Sequence, residues 1–230
     1  MTSASTSPYE SDPSAVWDHV YEELAADAAW GVRSLPALKF AVAASAEAVA
    51  TRALDCACGD GRNLTDLARA VPFVVGTDVS SVALARAAAR LGATGVCNAL
   101  LMRDDILASN FLDDTFDVVV ALEVLSHLRD VPRAIDELIR VCRPGGTVIA
   151  DVFATTDGTR GDHAGLDYID DQGVYFRYYD LREATRLCAV SKVSSIQVHQ
   201  VTWTDPPHGK YRPYEHVHET WCLLVRKVAF

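Results

Sequence analysis

The order of apolar and polar residues divides the chain into short periodic segments. Ser11-Asp12-Pro13 places a capping residue before a proline, the chemistry of a helix's first turn. Val16, Val20, Leu24 and Ala28 then recur at helical spacing, so an amphipathic helix is predicted to end near Gly31. A second, Ala-rich helix follows Pro36 and runs to about Ala50. From there the pattern alternates: strands are predicted at 53–56, 73–77, 95–101, 116–122 and 147–153, with helices at 63–71, 80–91 and 131–141. Apart from Asp117, the run Phe116–Leu122 is apolar throughout, as in a strand covered on both faces. Pro144-Gly145-Gly146 predicts a turn before the strand at 147–153. Strands alternating with helices specify βαβ units, hence a doubly wound, Rossmann-like α/β sheet with helices on both faces.

Residues 154–174 break this rhythm with a polar stretch rich in Asp and Gly. Long loops in compact domains are commonly lids. Tyr175-Phe176-Arg177-Tyr178-Tyr179 leads into a helix predicted from Asp180 to Val190. Strands at about 193–204 and 215–228 follow, joined by a turn at Asp205-Pro206-Pro207-His208-Gly209. The expected organisation is a flexible stretch at 1–12 and a single domain over 13–230. Within it, 13–50 form a helical cap and 154–180 a substrate lid.

Composition narrows the function classes. Half of the 230 residues are hydrophobic and 23% are charged, enough for a large core without staples. Acidic residues outnumber basic ones 31 to 21, a formal charge of −10, and no Lys/Arg run interrupts this. Such a chain repels nucleic-acid phosphates, so none is expected as a partner. The six cysteines form no CxxC pair, and Cys56-Ala57-Cys58 lacks zinc-knuckle spacing, so reduced thiols in a cytoplasmic protein are expected. The sequence shows no secretory leader pattern and no membrane span. The dominance of Arg over Lys and the abundance of Ala fit a GC-rich, bacterial source.

The candidate chemistry lies in Leu54-Asp55-Cys56-Ala57-Cys58-Gly59-Asp60-Gly61-Arg62-Asn63, where the first parallel strand turns into its helix. Gly59 and Gly61 let backbone approach a ligand, and ligands of open α/β sheets lie beyond the carboxyl ends of the strands. Asp78 ends the second strand 17 positions after Gly61, the placement of an acid that accepts ribose hydroxyls. Residues 54–153 resemble the class I S-adenosylmethionine methyltransferases, of the small-molecule, UbiE-like group. That family's acid-x-Gly-x-Gly-x-Gly loop reads Asp55-x-Ala57-x-Gly59-x-Gly61 here, with alanine in place of the first glycine. The resemblance implies a seven-stranded sheet, mostly parallel with an antiparallel C-terminal strand. It implies S-adenosylmethionine as cofactor and S-adenosylhomocysteine as product. It assigns the ribose to Asp78, adenine packing to Val79, and an adenine-contacting acid to Asp105, followed by Ile106, with Asp104 the neighbouring register. Glu123, in the segment after the fourth strand, faces the cofactor's methionine end or the acceptor.

Glu123 and His127 are the candidate catalytic groups. A carboxylate ending a buried strand needs a cleft or a partner, and a histidine near neutrality suits removal of an acceptor proton. The alternative for His127 is helix packing. Trp17, Trp30, Tyr175 and Tyr179 are candidate substrate-binding residues, within a set of aromatics that also includes Tyr21, Phe176 and Tyr178. His208 and Arg212 are expected at the acceptor mouth. His216 and His218 share one strand face; without a fitting Asp/Glu or Cys pattern they read as strand and rim residues, and no metal is expected. The function expected is methyl transfer to an O, N or C atom of a small molecule, in natural-product metabolism, by a monomer or homodimer without a membrane partner. The alternatives are a non-methylating S-adenosylmethionine enzyme and an NAD-dependent oxidoreductase. Against the latter, Leu64 stands where GxGxxG requires its third glycine.

Overall fold

The computed structural model describes residues 12–24, 30–31, 33–190, 192–208 and 212–229. The stretch read as flexible lies outside these except for Asp12, as does Ala28. Nine strands are described: β1 (Arg52–Cys56), β2 (Phe73–Asp78), β3 (Ala99–Arg103), β4 (Phe116–Ala121), β5 (Cys142–Phe153), β6 (Asp167–Ile169), β7 (Tyr175–Arg177), β8 (Val193–Asp205) and β9 (His216–Lys227). The helices are α1 (Pro13–Glu23), α2 (Leu38–Ala48), α3 (Leu64–Ala70), α4 (Ser81–Thr94), α5 (Val131–Val141) and α6 (Leu181–Leu187).

Seven strands form one sheet in the order β3-β2-β1-β4-β5-β9-β8. β1 to β5 are parallel, and the C-terminal strand β9 runs antiparallel to both β5 and β8. This is the doubly wound, Rossmann-like sheet that the sequence pattern predicts, with an antiparallel C-terminal strand. Alternation along β4 separates two cores, because successive side chains point to opposite faces. Val119 and Ala121 pack with Leu54, Val75 and the α5 residues Ile135 and Leu138. Val118 and Val120 pack with Ala53, Val74 and with Leu38, Leu64 and Ala87 from α2, α3 and α4. A third cluster joins Val16, Val20 and Tyr21 of α1 to Phe153, Val174, Phe176 and Tyr178. It places α1 and the β6–β7 hairpin together beside the carboxyl edge of the sheet.

Several boundaries differ from the sequence reading. α4 extends to Thr94 because Gly95 (φ +67°) supplies a left-handed C-cap, which moves β3 from 95–101 to 99–103. Pro144-Gly145-Gly146 is a bulge within β5, not a turn before it: the register jumps from Phe116–Cys142 to Val118–Thr147. A Cβ on Gly146 would lie 2.7 Å from the Asp117 carbonyl oxygen, so only glycine passes there. The 154–174 stretch is more ordered than a plain loop, with a 3-10 turn at Gly158–Arg160 and the strand β6. α6 ends at Leu187, three residues short of Val190. Among the described residues no helix is long and apolar enough to cross a membrane.

Candidate functional site

The loop leaving β1 is held in a conformation that L-residues resist. Ala57 (φ +53°) and Gly59 (φ +57°) are both left-handed, and for alanine this costs roughly 1–2 kcal/mol. A bond from the Cys58 N–H to the Thr77 carbonyl, at 2.8 Å, ties the loop to β2. The Gly59 N–H then donates to Asp78 Oδ2 and the Ser80 N–H to Asp78 Oδ1, each at 2.9 Å. A carboxylate offers about four acceptor positions. Two are used here, leaving capacity for two hydroxyls. Burial pushes the Asp78 carboxyl up to about 6 even against these bonds. From above, Tyr21 of α1 covers the loop so closely that a Cβ on Gly59 would strike its hydroxyl.

Asp78 opens onto a cavity of about 630 Å³. Strand order divides its wall. On the β2–β3 side stand Asp78, Val79, Asp105 and Ile106; the loop residues Ala57, Gly59 and Asp60 hold the middle; Glu123, Asp205 and His218 come from the β4 and β8–β9 side. Asp104 also borders it, but both of its oxygens are used by Ser109 Oγ (2.7 Å) and by Asn110 N and Nδ2 (3.0 and 2.8 Å). Asp105 is exposed and is the acid of the pair open to a ligand. Asp55 and Gly61 do not line the cavity. Asp55 is buried beneath the loop with Oδ2 unpartnered; burial first, and the Asp78 charge second, push its carboxyl to about 8. Gly61 packs on Ala87 of α4.

Glu123 is itself left-handed (φ +58°), and its N–H donates to Asp151 Oδ1 at 2.6 Å. Arg62, from the glycine loop, lies 3.4 Å from Glu123 Oε2 and 3.3 Å from Asp205 Oδ1, which joins the first and last parts of the domain. Burial raises the Glu123 carboxyl, while His218 and Arg62 oppose the rise. His127 sits in a 3-10 turn and lines the cavity, with Trp17, Phe153 and Phe176 around its ring. Its Nδ1 lies 2.8 Å from the Tyr175 carbonyl, which can only accept, so Nδ1 carries the proton. Burial lowers its pKa to about 4 and keeps the ring neutral at pH 7.

The expected aromatic and C-terminal residues divide. Trp17, Trp30 and Arg212 line the cavity. Tyr175 and Tyr179 do not: both side chains are buried, beneath the guanidinium groups of Arg129 and Arg177 respectively. The cause is strand alternation, since Phe176 takes the inward place between Tyr175 and Arg177. His208 is buried behind Trp30, their rings 5.1 Å apart, and not on the cavity wall. Arg62, Asp60 and Asp205 line the cavity although sequence reasoning did not select them; of the two histidines read as strand and rim residues, His218 lines it and His216 does not. Arg62 was legible as the one cation in the glycine loop, whereas Asp205 needed the register of the last hairpin.

Residues 54–150 match the family model described as "Methyltransferase domain". An uncharacterized methyltransferase of Mycobacterium tuberculosis is 32% identical over 102 residues, 44% of this chain and 50% of the relative. The match thus spans about half the length of that relative. Among solved structures, the fold is similar to a protein studied in the conversion of a disulfide bond into a thioacetal group during echinomycin biosynthesis. The TM-score is 0.69 at 19% identity, over 94% of both chains. It is also similar to the 1,6-didemethyltoxoflavin N1-methyltransferase of Burkholderia thailandensis, solved with its substrate and S-adenosylhomocysteine. There the TM-score is 0.65 at 16% identity, over 99% of this chain and 93% of the other.

Proposed function

We propose that this chain is a class I S-adenosylmethionine-dependent methyltransferase and that it moves a methyl group from S-adenosylmethionine to an O, N or C atom of a small molecule. The observation that carries this reading is Asp78: a buried carboxylate bonded to the glycine loop, with two acceptor positions left, beside a cavity of about 630 Å³. The residues fit the cofactor. Asp78 would hold the ribose hydroxyls, Val79 and Ile106 would flank the adenine, and Asp105 would accept from its amino group. The backbone around Gly59 faces the methionine portion, and Asp60 brings a buried, unpartnered Oδ1 to the same wall.

When bound, S-adenosylmethionine would supply an electrophilic methyl group on a sulfonium, open to in-line attack by the acceptor with S-adenosylhomocysteine as the leaving group. The protein's part is alignment and exclusion of water. Trp17, Trp30, Phe153 and Phe176 provide an apolar wall that fits a flat acceptor, and α1 covers the cavity. Glu123 and Arg212 bring opposite charges to the acceptor side. His127, neutral with its proton on Nδ1, takes up an acceptor proton at Nε2. A small metabolite as acceptor, within natural-product metabolism, is supported by the compounds named for the two structural neighbours and by the size of the cavity.

Calorimetric titration with S-adenosylmethionine, S-adenosylhomocysteine and NAD tests the reading. Micromolar binding of the first two, lost in Asp78→Ala, with NAD inert, is the expected result. Absence of adenosyl binding, or binding indifferent to Asp78, would overturn it.

A further inference from the structure

The β8–β9 hairpin brings to the cavity wall a set of side chains that methyl transfer does not explain. Asp205 ends β8 and pairs in register with His216, the first residue of β9. His218 follows two positions later on the same face. The Nε2 atoms of His216 and His218 face each other across 3.1 Å. The other nitrogen of each ring is committed. His216 Nδ1 lies 3.2 Å from the Tyr214 carbonyl oxygen, which can only accept, so Nδ1 carries the proton. His218 Nδ1 lies 3.2 Å from Asp157 Oδ2, an oxygen that also accepts the Glu219 N–H, so this Nδ1 is protonated too. With Nδ1 protonated on both rings, both Nε2 atoms point at one place, and a contact of 3.1 Å there needs either a shared proton or a metal cation held by both.

The surroundings are those of a cation site. Donor atoms of Asp205, His208 and His216 lie within 4.8 Å of one another, and so do those of Glu123, Asp205 and His218. His208 is 1% exposed, its Nδ1 has no hydrogen-bond partner, and its Nε2 is 3.7 Å from Asp205 Oδ2. Arg62 touches Asp205 and Glu123 Oε2 only at 3.3–3.4 Å, while Glu123 Oε1 turns toward His218 Nε2 at 3.7 Å.

We propose that His216, His218 and Asp205, with Glu123 and His208 completing the shell, bind a divalent transition-metal ion of the zinc class. Imidazole and carboxylate donors without thiolate suit zinc, cobalt, nickel, iron or manganese. Two nitrogens bound to one zinc at about 2.0–2.1 Å stand about 2.9–3.4 Å apart between octahedral and tetrahedral angles, which brackets the separation seen here. The Tyr214 carbonyl and the Asp157 carboxylate are the outer-shell acceptors that fix tautomer and ring orientation in such sites. Glu123, Asp205 and Asp157 outnumber the two guanidinium groups on this side, those of Arg62 and Arg212, which favours an added cation. Asp205, Glu123 and His218 line the cavity whereas His208 and His216 stand behind, so the ion's remaining position opens onto the acceptor side. On the methyltransferase reading, on which this clause rests, that position takes a hydroxyl oxygen of the acceptor and lowers its pKa.

The test titrates chelator-stripped, full-length protein with Zn²⁺ and Co²⁺. Expected are one saturable equivalent by calorimetry, visible ligand-field bands for Co²⁺, and ¹⁵N shifts of the Nε2 resonances of His216 and His218 in the wild type on adding Zn²⁺. Affinity should fall at least about 100-fold in His216→Gln and in Asp205→Asn, each checked for folding by circular dichroism. Asp78→Ala should keep the metal and lose the adenosyl ligand, so this site and the methyltransferase reading fail separately. Unshifted Nε2 resonances, or stoichiometric binding that survives in both variants, would overturn the proposal and assign the 3.1 Å contact to a shared proton.

Discussion

The Gly59 amide donates to Asp78 Oδ2 at 2.9 Å, so the loop after β1 and the acid that ends β2 act as one unit. The bond fixes the carboxylate in place and uses one of its acceptor positions. It also makes the ligand-binding capacity of Asp78 depend on its ionisation, because a protonated carboxyl gives up acceptors.

A pH dependence of binding follows. Burial raises Asp78 from its ordinary 3.8 to about 6. On the proposed reading ribose hydroxyls donate to the ionised form, so affinity for S-adenosylhomocysteine should be constant above about pH 6 and fall by about tenfold per unit below it. Fold stability responds with the opposite sign. The folded-state pKa is raised, so the contribution of Asp78 is fully present below its ordinary value and is lost as pH rises through about 6. Calorimetry from pH 5 to 8 on wild type and Asp78→Asn checks the first effect, and the variant should show no slope in this range. A slope that persists in Asp78→Asn would place the titrating group elsewhere.

The contact between α1 and the loop is testable through Gly59. Gly59→Ala forces a left-handed alanine, at roughly 1–2 kcal/mol, and drives a methyl group into the Tyr21 hydroxyl. Tyr21→Phe removes that oxygen. The double variant should therefore be more stable than the sum of the single changes, by more than the roughly 0.5 kcal/mol within which independent sites add. Urea denaturation of the four proteins measures this, and strict additivity would mean that α1 does not cover the loop in solution.

The fold and the placing of Asp78 and Gly59 on the cavity wall were legible because local chemistry encodes them. Period and breakers mark β1 to β5, and the Gly59–Asp78 pair follows from a strand, a glycine turn and an acid ending the next strand. The acceptor side was less legible because it is assembled from residues far apart in sequence. Arg62 meets Asp205 across 143 positions, and Asp205 meets His216 only through the register of the last hairpin. Tyr175 and Tyr179 read as pocket aromatics by composition. Which residue of β7 faces inward is set by hairpin pairing, and Phe176 occupies that place. Pro144-Gly145-Gly146 carries the residues of a turn, yet β4 and β9 hold it within the sheet on either side.

His127 separates catalysis from packing. His127→Asn keeps an amide N–H for the Tyr175 carbonyl but supplies no base. If His127 removes the acceptor proton, turnover should fall by about 10²–10⁴-fold while the affinity for S-adenosylhomocysteine stays within twofold or so. Burial lowers His127 to about 4, so at saturating donor the wild-type rate should not decline through this group between pH 7 and 5. Turnover equal to wild type in His127→Asn would leave the ring a packing role among Trp17, Phe153 and Phe176.

Lys227 provides the opposite case, a buried charge that serves the fold alone. Its Nζ donates to the carbonyls of Ile139 and Cys142 at 2.8 and 2.7 Å and to Asp114 Oδ1 at 2.6 Å. It thereby satisfies carbonyls at the C-terminal end of α5, where a cation also meets the negative end of the helix dipole. Lys227→Met fills similar space and leaves both buried carbonyls without this donor, which costs about 2–4 kcal/mol. For a chain of this size that corresponds to a fall of roughly 5–15 °C in Tm. β9 begins at the carboxyl edge with His216 and ends at Lys227, so this site lies at the far end of the sheet from the cavity. Binding of S-adenosylhomocysteine below the lowered Tm should therefore match wild type. A variant that keeps its Tm, or that loses ligand affinity while still folded, would contradict the assignment of Lys227 as a helix-end donor remote from the site.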